Sequence, residues 1–153
     1  MTTVEQLLAE HPFFLGLEPE HVSLLSGCAT LARVEGGEFL FREGEVARSF
    51  YVVRHGSVAV ASITPQEGLV VIQTVSDGDV LGWSWLLPPF RWHFGAYAIE
   101  PTSLVGLDAT CVRRKCQEDP QFGYEIMRRF AQVMASRLEA MHLQLMNVYE
   151  NRS

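Results

Sequence analysis

Residues 36–63 read GGEFLFREGEVARSFYVVRHGSVAVASI, and this stretch decides the fold. Short apolar segments alternate in it with glycine-containing turn sequences. Within the segments the hydrophobic residues recur with a period of about two, which is typical of β-strands. The pattern predicts strands joined by tight turns, over residues 38–41, 50–54 and 57–63.

The same pattern continues on both sides of this stretch. Further turn sequences follow at Pro65-Gln66-Glu67-Gly68 and Asp77-Gly78-Asp79, at spacings of about ten residues. Several short strands closed by glycine turns favour a small antiparallel roll or barrel over alternating strand and helix units. The remaining strands are predicted over residues 31–34, 69–75, 95–99 and 103–107.

Apolar residues at helical spacing occupy both ends of the chain. They predict two short opening helices, over 4–9 and 19–28. Near the other end, Asp108 or Thr110 can cap a helix over 111–117, and Asp119-Pro120 can open a last, long helix over about 121–149. We expect residues 1–120 (opening helices and roll) and residues 121–153 (long helix) to belong to one structural unit.

The long helix carries two apolar stripes. We expect the first stripe to pack back on the roll; it comprises Phe122, Ile126, Phe130 and Val133. The second steps alternately by four and three residues, which is the seam of a coiled coil sustained over three heptads; it comprises Met127, Ala131, Met134, Leu138, Met141, Leu145 and Val148. A parallel homodimer is predicted, with an interface at Met127, Met134, Leu138, Met141 and Leu145; alternatively, the stripe folds back on its own domain.

Composition excludes several classes of function. The chain has 153 residues, 48% of them hydrophobic, which suits one globular domain with its own core. Its formal net charge of -6 opposes direct binding to nucleic acid. Since residues 1–5 lack the features of a signal peptide and no apolar run approaches about 18 residues, we expect a cytoplasmic protein without a membrane partner.

Cysteine and basic residues give weaker indications. The three cysteines, Cys28, Cys111 and Cys116, are an odd number without a secretory signal, so we expect reduced, buried thiols and no disulfide. The basic groups 113–115 and 128–129 are interpreted as solvated helix faces. The five histidines lack the spacing of a metal site, and no catalytic signature is present, so we expect no metal, no cofactor and no enzyme activity.

Three segments resemble the first half of a cyclic nucleotide-binding domain of the Crp/Fnr type: HPFFLGL at 11–17, GEFLFREG at 37–44 and FYVVRHGSV at 50–58. The resemblance continues through GDVLG at 78–82 and the terminal helix, so it covers most of the chain. It implies an α+β, mainly β, fold: an antiparallel double-stranded β-helix, or jelly roll, with short N-terminal helices and a long C-terminal dimerisation helix. It also implies a regulatory module that senses a small ligand.

In that family the ligand is held by a phosphate-binding cassette, in which a glutamate opens a short helix and an arginine follows near two small residues. The matching segment here is 78–98, called the cassette below. Trp83 occupies the position of the family's glutamate. When Gly95-Ala96 is aligned with the two small residues, Phe94 occupies the position of the family's arginine. A buried cyclic phosphate requires a guanidinium, so we expect cyclic AMP binding to be lost, with Arg91 or His93 as possible replacement cations.

We expect another small ligand to bind at the cassette and to change the pairing of the long helices. The candidate residues are Gly82, Trp83, Ser84, Trp85, Arg91, His93, Phe94, Gly95, Ala96 and Tyr97. Two alternatives stay open. One is a ligand-free interaction or scaffold protein, which predicts Trp83, Trp92 and Phe94 buried against each other without a cavity. The other is the N-terminal sensor part of a Crp/Fnr-type transcription regulator.

Overall fold

Residues 3–151 are described in the computed structural model of the chain. The N-terminal part contains helix α1 (Val4–Glu10), a 3-10 helix (Pro12–Phe14) and helix α2 (Pro19–Ser26). A capping box starts α1: the Thr3 hydroxyl accepts from the Gln6 N–H at 3.1 Å, and the Gln6 side chain accepts from the Thr3 N–H at 2.8 Å. Both predicted opening helices are confirmed, and the short helix between them was not predicted.

Within residues 3–151, eight strands form two antiparallel four-stranded sheets, as the predicted roll requires. The first sheet has the order β1-β8-β3-β6 and the second the order β2-β7-β4-β5. The two-residue strand β6 was not predicted. The strands are β1 (Ala29–Val34), β2 (Phe39–Phe41), β3 (Ser49–His55), β4 (Ser57–Thr64), β5 (Gly68–Ser76), β6 (Val80–Leu81), β7 (Gly95–Ala98) and β8 (Thr102–Asp108).

Gly56 passes the chain from β3 in the first sheet to β4 in the second. Its φ is +128°, and a Cβ atom at this position would lie 2.8 Å from the Cα of Thr102. Only glycine allows both this backbone conformation and this close approach. The turn thereby closes the roll around a core of fully buried side chains, which includes Val53, Val58, Ala59, Ala96, Ala98 and Leu104.

Helices α3 (Ala109–Glu118) and α4 (Pro120–Glu150) complete the chain. Asp108 caps α3 by accepting from the Cys111 N–H at 2.8 Å, and Asp119 caps α4 by accepting from the Phe122 N–H at 3.2 Å. The 31 residues of α4 correspond to a length of about 47 Å. None of the helices between residues 3 and 151 has both the length and the hydropathy needed to cross a bilayer.

The chain divides into two compact units, with the boundary between Lys115 and Cys116. In the second unit, Phe122, Ile126 and Phe130 of the first stripe are buried, whereas Val133 is half-buried.

The expectation of three reduced thiols is wrong, because Cys28 and Cys111 form a disulfide. Strand β1 pairs with β8 in a register that sets Ala29 opposite Leu107, and the Asp108 N–H donates to the Cys28 carbonyl at 2.9 Å. This pairing brings the residue before β1 to the start of α3, with the two cysteine Cα atoms 5.7 Å apart. The count of cysteines in the sequence contains no information about this contact.

Candidate functional site

The cassette follows an irregular path between β6 and β7. Gly82 leaves β6 with a φ of +100°, and one turn of 3-10 helix follows over Ser84–Leu86. A cis peptide bond joins Pro88 to Pro89, and the next residue, Phe90, has a φ of 57°. Arg91 then makes an isolated antiparallel bridge to Val46, which lies between β2 and β3. The cassette therefore contacts the loop between β2 and β3 before the chain enters the second sheet as β7.

Each of the three tryptophans in the cassette stacks on a different partner. Trp85 is fully buried against Phe50, with ring centroids 4.6 Å apart, and Trp92 is buried against Phe41, with centroids 3.5 Å apart and planes within 7°. Trp83 is only half-buried and stacks on the exposed His93 at 4.6 Å. Phe94 is also half-buried. The arrangement expected of a ligand-free core, with Trp83, Trp92 and Phe94 buried against each other, is not the observed one.

Both candidate replacement cations contact groups of the protein itself. Arg91 is exposed, and its Nη1 donates to the Gly44 carbonyl oxygen at 2.9 Å. His93 lies beside Ser84, with its Nδ1 3.1 Å from the Ser84 hydroxyl oxygen. The Ser84 oxygen also accepts from the His93 N–H at 3.4 Å. Arg91 is thus bound to the loop between β2 and β3, and His93 to the first residue of the 3-10 helix.

The last three predicted site residues, Gly95, Ala96 and Tyr97, lie in strand β7. Gly95 and Ala96 are buried in the sheet, and Tyr97 contacts Phe39 of β2 with ring centroids 5.4 Å apart. The predicted residues therefore do not form one cluster.

A cleft of about 340 Å³ opens beside Trp92, which is the one cassette residue in its wall. Its volume is at the low end of the range of about 300–1,000 Å³ that is usual for small-ligand sites. The other lining residues come from β2, from β3 and from the loop between them: Leu40, Phe41, Glu45, Val46, Arg48, Ser49 and Tyr51. None of the eight was among the predicted binding residues.

The cleft combines charged, hydroxyl and aromatic groups. The Glu45 carboxylate accepts from the Arg42 N–H at 2.6 Å. Arg48 is exposed, and its guanidinium makes no hydrogen bond or ion pair with a protein group within residues 3–151. Burial raises the pKa of the Tyr51 phenol, and a hydrogen bond with the Ser49 side chain acts in the opposite direction. The phenol thus stays protonated at neutral pH and offers a neutral hydroxyl.

The sequence contains one signal for part of this wall. Ser49 and Tyr51 are two residues apart on one strand, so their side chains lie on the same face of the sheet. Nothing in the sequence places them next to Trp92, because that contact depends on closure of the roll.

Arg113 joins helix α3 to the cassette. Its Nη1 donates to the Trp85 carbonyl oxygen at 2.7 Å, and its guanidinium lies over the Phe90 ring at 4.2 Å from the centroid. The interpretation of residues 113–115 as a solvated face is therefore wrong for Arg113, which is half-buried; Arg114 is exposed as expected.

The predicted interface residues of α4 are mostly exposed. The exposed fractions are 41% for Met127, 69% for Leu138, 45% for Met141 and 54% for Leu145, whereas Met134 is half-buried. Within the described residues, no three His, Cys, Asp or Glu side chains lie close enough together to hold a metal ion.

Comparison with protein families matches residues 31–119 to the family described as "Cyclic nucleotide-binding domain". Two curated relatives are each 22% identical: lysophospholipase NTE1 of Chaetomium globosum, over 92% of this chain and 10% of its own length, and the CRP-like cAMP-activated global transcriptional regulator of Mycobacterium tuberculosis, over 88% and 58%. The chain thus spans less than two thirds of either relative.

A solved structure with the same fold is described as a "Putative Cyclic nucleotide-binding protein from Geobacter metallireducens GS-15". The TM-score is 0.80 at 20% identity, and the match covers 90% of this chain and 99% of that one. At this identity the likeness establishes the fold alone, and it agrees with the two sheets, the N-terminal helices and the long C-terminal helix.

Proposed function

Because the chain belongs to the cyclic nucleotide-binding domain family, we propose that it is a non-enzymatic regulatory module that senses a small ligand in the cleft beside Trp92. The observation that supports this most directly is the cleft itself, since an unpaired guanidinium and stacked rings line a volume suited to a small molecule. The M. tuberculosis relative is a regulator activated by cAMP, which supports a sensing role for this type of domain.

We further propose that the ligand is not a cyclic nucleotide held in the family's usual way. Trp83 and Phe94 occupy the cassette positions at which the family's pattern has a glutamate and an arginine. Losing one partner of a buried charged contact costs about 2–5 kcal/mol, and here both are absent. Trp92 adds a steric obstacle, since its indole lies over Gly82 and stacks on Phe41.

The output is proposed to be a homodimer through α4. Exposed Leu138, Met141 and Leu145 lie on one seam of this helix, and a second copy of the same seam would cover them. Ligand binding would then bias the pairing of the two helices, as expected when a ligand prefers one of two arrangements. The net charge of -6 speaks against direct nucleic-acid contacts by these residues.

Thermal melting in the presence of a panel of small metabolites, together with cyclic AMP and cyclic GMP, tests the sensing function. An occluding variant, Val46→Trp, places a large ring at the cleft wall on a residue that is 42% exposed and therefore tolerates bulk. The matched control is Leu31→Trp, on the exposed side of β1.

We expect saturable stabilisation by at least one metabolite in the wild type and in Leu31→Trp, and none in Val46→Trp. Stabilisation of all three proteins alike would place the ligand outside the cleft. No stabilisation by any compound would favour the ligand-free scaffold. Micromolar binding of cyclic AMP would contradict the proposal that the cassette no longer holds a cyclic nucleotide.

A further inference from the structure

We propose that the ligand of the cleft is a small, planar aromatic monocarboxylate. This proposal rests on the sensing function proposed above and adds to it the chemical class of the ligand. It follows from three features of the cleft: its unpaired cation, its stacked rings and the carboxylate of Glu45.

The cation is Arg48. Its backbone is fixed, because the Ala109 N–H donates to the Arg48 carbonyl oxygen at 2.9 Å. Its guanidinium has no partner in the described part of the chain, unlike Arg91 and Arg113, which donate to backbone carbonyl groups. An arginine fork matches the two oxygens of a carboxylate, with which it forms paired hydrogen bonds. Arg48 therefore selects for an anion at the mouth of the cleft.

The aromatic side chains of the cleft favour a ligand with a planar aromatic ring. Phe41 stacks on Trp92 with planes within 7°, and Tyr51 lies parallel to Phe41 within 18° at a centroid distance of 6.4 Å. Three nearly parallel rings thus lie along one cleft. Phe41 and Trp92 are buried against each other, so the half-buried Tyr51 is the ring of this set that a ligand would contact. Offset stacking of an aromatic ligand ring on Tyr51 adds to the free energy gained by burying that ring, and a saturated ring does not gain this contribution.

Glu45 limits the charge of the ligand. Its carboxylate lines the same cleft and is held in place by the Arg42 N–H at 2.6 Å. With one cation and one anion in the wall, a doubly charged phosphate would meet repulsion that Arg48 alone does not balance. A monocarboxylate that also carries an N–H or O–H donor would satisfy Arg48 and find acceptors at Glu45 and Ser49.

Isothermal titration calorimetry with indole-3-carboxylate as the probe tests the class. Indole-3-carboxamide has the same shape without the charge, and cyclohexanecarboxylate has the charge without the flat ring. We expect saturable binding of indole-3-carboxylate and at least tenfold weaker binding of each analogue. This comparison uses the wild-type protein and is independent of the folding of any variant.

Variants then assign the residue. Arg48→Gln should weaken indole-3-carboxylate binding at least tenfold, whereas Arg33→Gln, an exposed arginine on β1 outside the cleft, should leave it unchanged. Loss of binding in Arg91→Gln but not in Arg48→Gln would overturn the assignment of the cation.

Three other results separate this inference from the proposed function. Equal binding of the carboxylate and the carboxamide would overturn the anionic class. Stabilisation by another metabolite that Val46→Trp abolishes, without binding of indole-3-carboxylate, would also overturn the class but leave the sensing function intact. Absence of every ligand in both experiments would overturn both proposals.

Discussion

The indole of Trp92 lies over Gly82 so closely that a Cβ atom added to Gly82 would come within 2.6 Å of Cζ3 and Cη2 of that ring. Gly82 also has a φ of +100°, which side chains rarely adopt. Trp92 has little room to move, because its ring also stacks on Phe41, with the two ring centroids 3.5 Å apart. We expect Gly82→Ala to lower the free energy of unfolding by about 2–5 kcal/mol in urea titrations, because backbone strain and overpacking both contribute.

The matched control for this substitution is Gly37→Ala. Gly37 has a φ of +88°, but a Cβ atom there would meet nothing within 4 Å, so only the backbone strain of about 1–2 kcal/mol should appear. A loss in Gly82→Ala no larger than that in Gly37→Ala would show that Trp92 adapts, and the steric argument would then fail.

Arg113 should stabilise the cassette through its two contacts, to the Trp85 carbonyl and the Phe90 ring. A hydrogen bond from a charged donor contributes about 1.5–3 kcal/mol, and Arg113→Met removes it while retaining most of the apolar stem. We expect the free energy of unfolding to fall by that amount. Tryptophan fluorescence during a urea titration measures it. Arg114→Met, at the exposed neighbouring position, should change it by no more than about 0.5 kcal/mol. Equal effects of the two substitutions would contradict the role of Arg113.

Most of the fold could be predicted because its signals are local. Glycine turns at Gly44, Gly56 and Gly78 separate segments whose apolar residues alternate, and Asp108 and Asp119 begin helices where capping chemistry requires. The predicted bounds differ from the observed ones mostly by one or two residues, as is usual at element ends. Strand β6, with two residues, is too short to show any period.

The site could be predicted only in part because its contacts are not local. Trp92 lies in the predicted cassette, but Arg48, Ser49 and Tyr51 line the same cleft as Trp92 only because the roll closes. The Cys28–Cys111 bond likewise follows from the pairing of β1 with β8. A one-dimensional pattern indicates which residues share a face of one strand, and it does not indicate which strands meet.

The disulfide predicts a specific result for thiol labelling. Cys116 is the free cysteine among residues 3–151, and burial, with a smaller contribution from Asp119, raises its pKa to about 11. Since the thiolate is the reactive form, the folded protein should react very slowly with iodoacetamide at pH 7.5. Unfolding in guanidinium should permit one label per chain, and unfolding with a reductant should permit three. Three labels without reductant, counted by mass spectrometry, would show that Cys28 and Cys111 are not bonded.

Removing that bond should also destabilise the fold. The disulfide joins residues separated by 83 positions, and closing a long loop restricts the unfolded chain. We expect Cys28→Ser/Cys111→Ser to lower the free energy of unfolding by about 2–4 kcal/mol. Cys116→Ser provides the control for loss of a cysteine outside the bond, and a double variant no less stable than this control would count against the prediction.

The proposed dimer predicts opposite outcomes for two leucines of α4. Leu138 belongs to the seam, whereas Leu143 lies two residues after Met141 and therefore on the other side of the helix. Both side chains are exposed, Leu138 by 69% and Leu143 by 59%, so the two substitutions are comparable in the monomer. A buried glutamate in a coiled-coil seam is strongly unfavourable, so Leu138→Glu should give monomers in sedimentation velocity. Leu143→Glu should sediment as the wild-type dimer. If both variants sediment alike, the seam is not the interface.

His11 should make the free energy of unfolding fall as the pH is lowered below about 6.5. Its Nδ1 accepts from the Phe13 N–H at 3.1 Å and its Nε2–H donates to the Val53 carbonyl at 2.8 Å, an arrangement that requires the neutral ring. Burial lowers its pKa below 6.5, the hydrogen bond to Val53 and the charge of Asp79 acting in the opposite direction. The unfolded chain therefore binds a proton first, so the stability present above about pH 6.5 is lost as pH falls through the folded pKa.

Urea titrations at pH values above and below 6.5 give the free energy of unfolding as a function of pH. His11→Asn, which can still accept from the Phe13 N–H, should make this dependence weaker than in the wild type. His142→Asn, at an exposed position of α4, should leave it unchanged. The same slope in His11→Asn as in the wild type would assign the pH dependence to other groups.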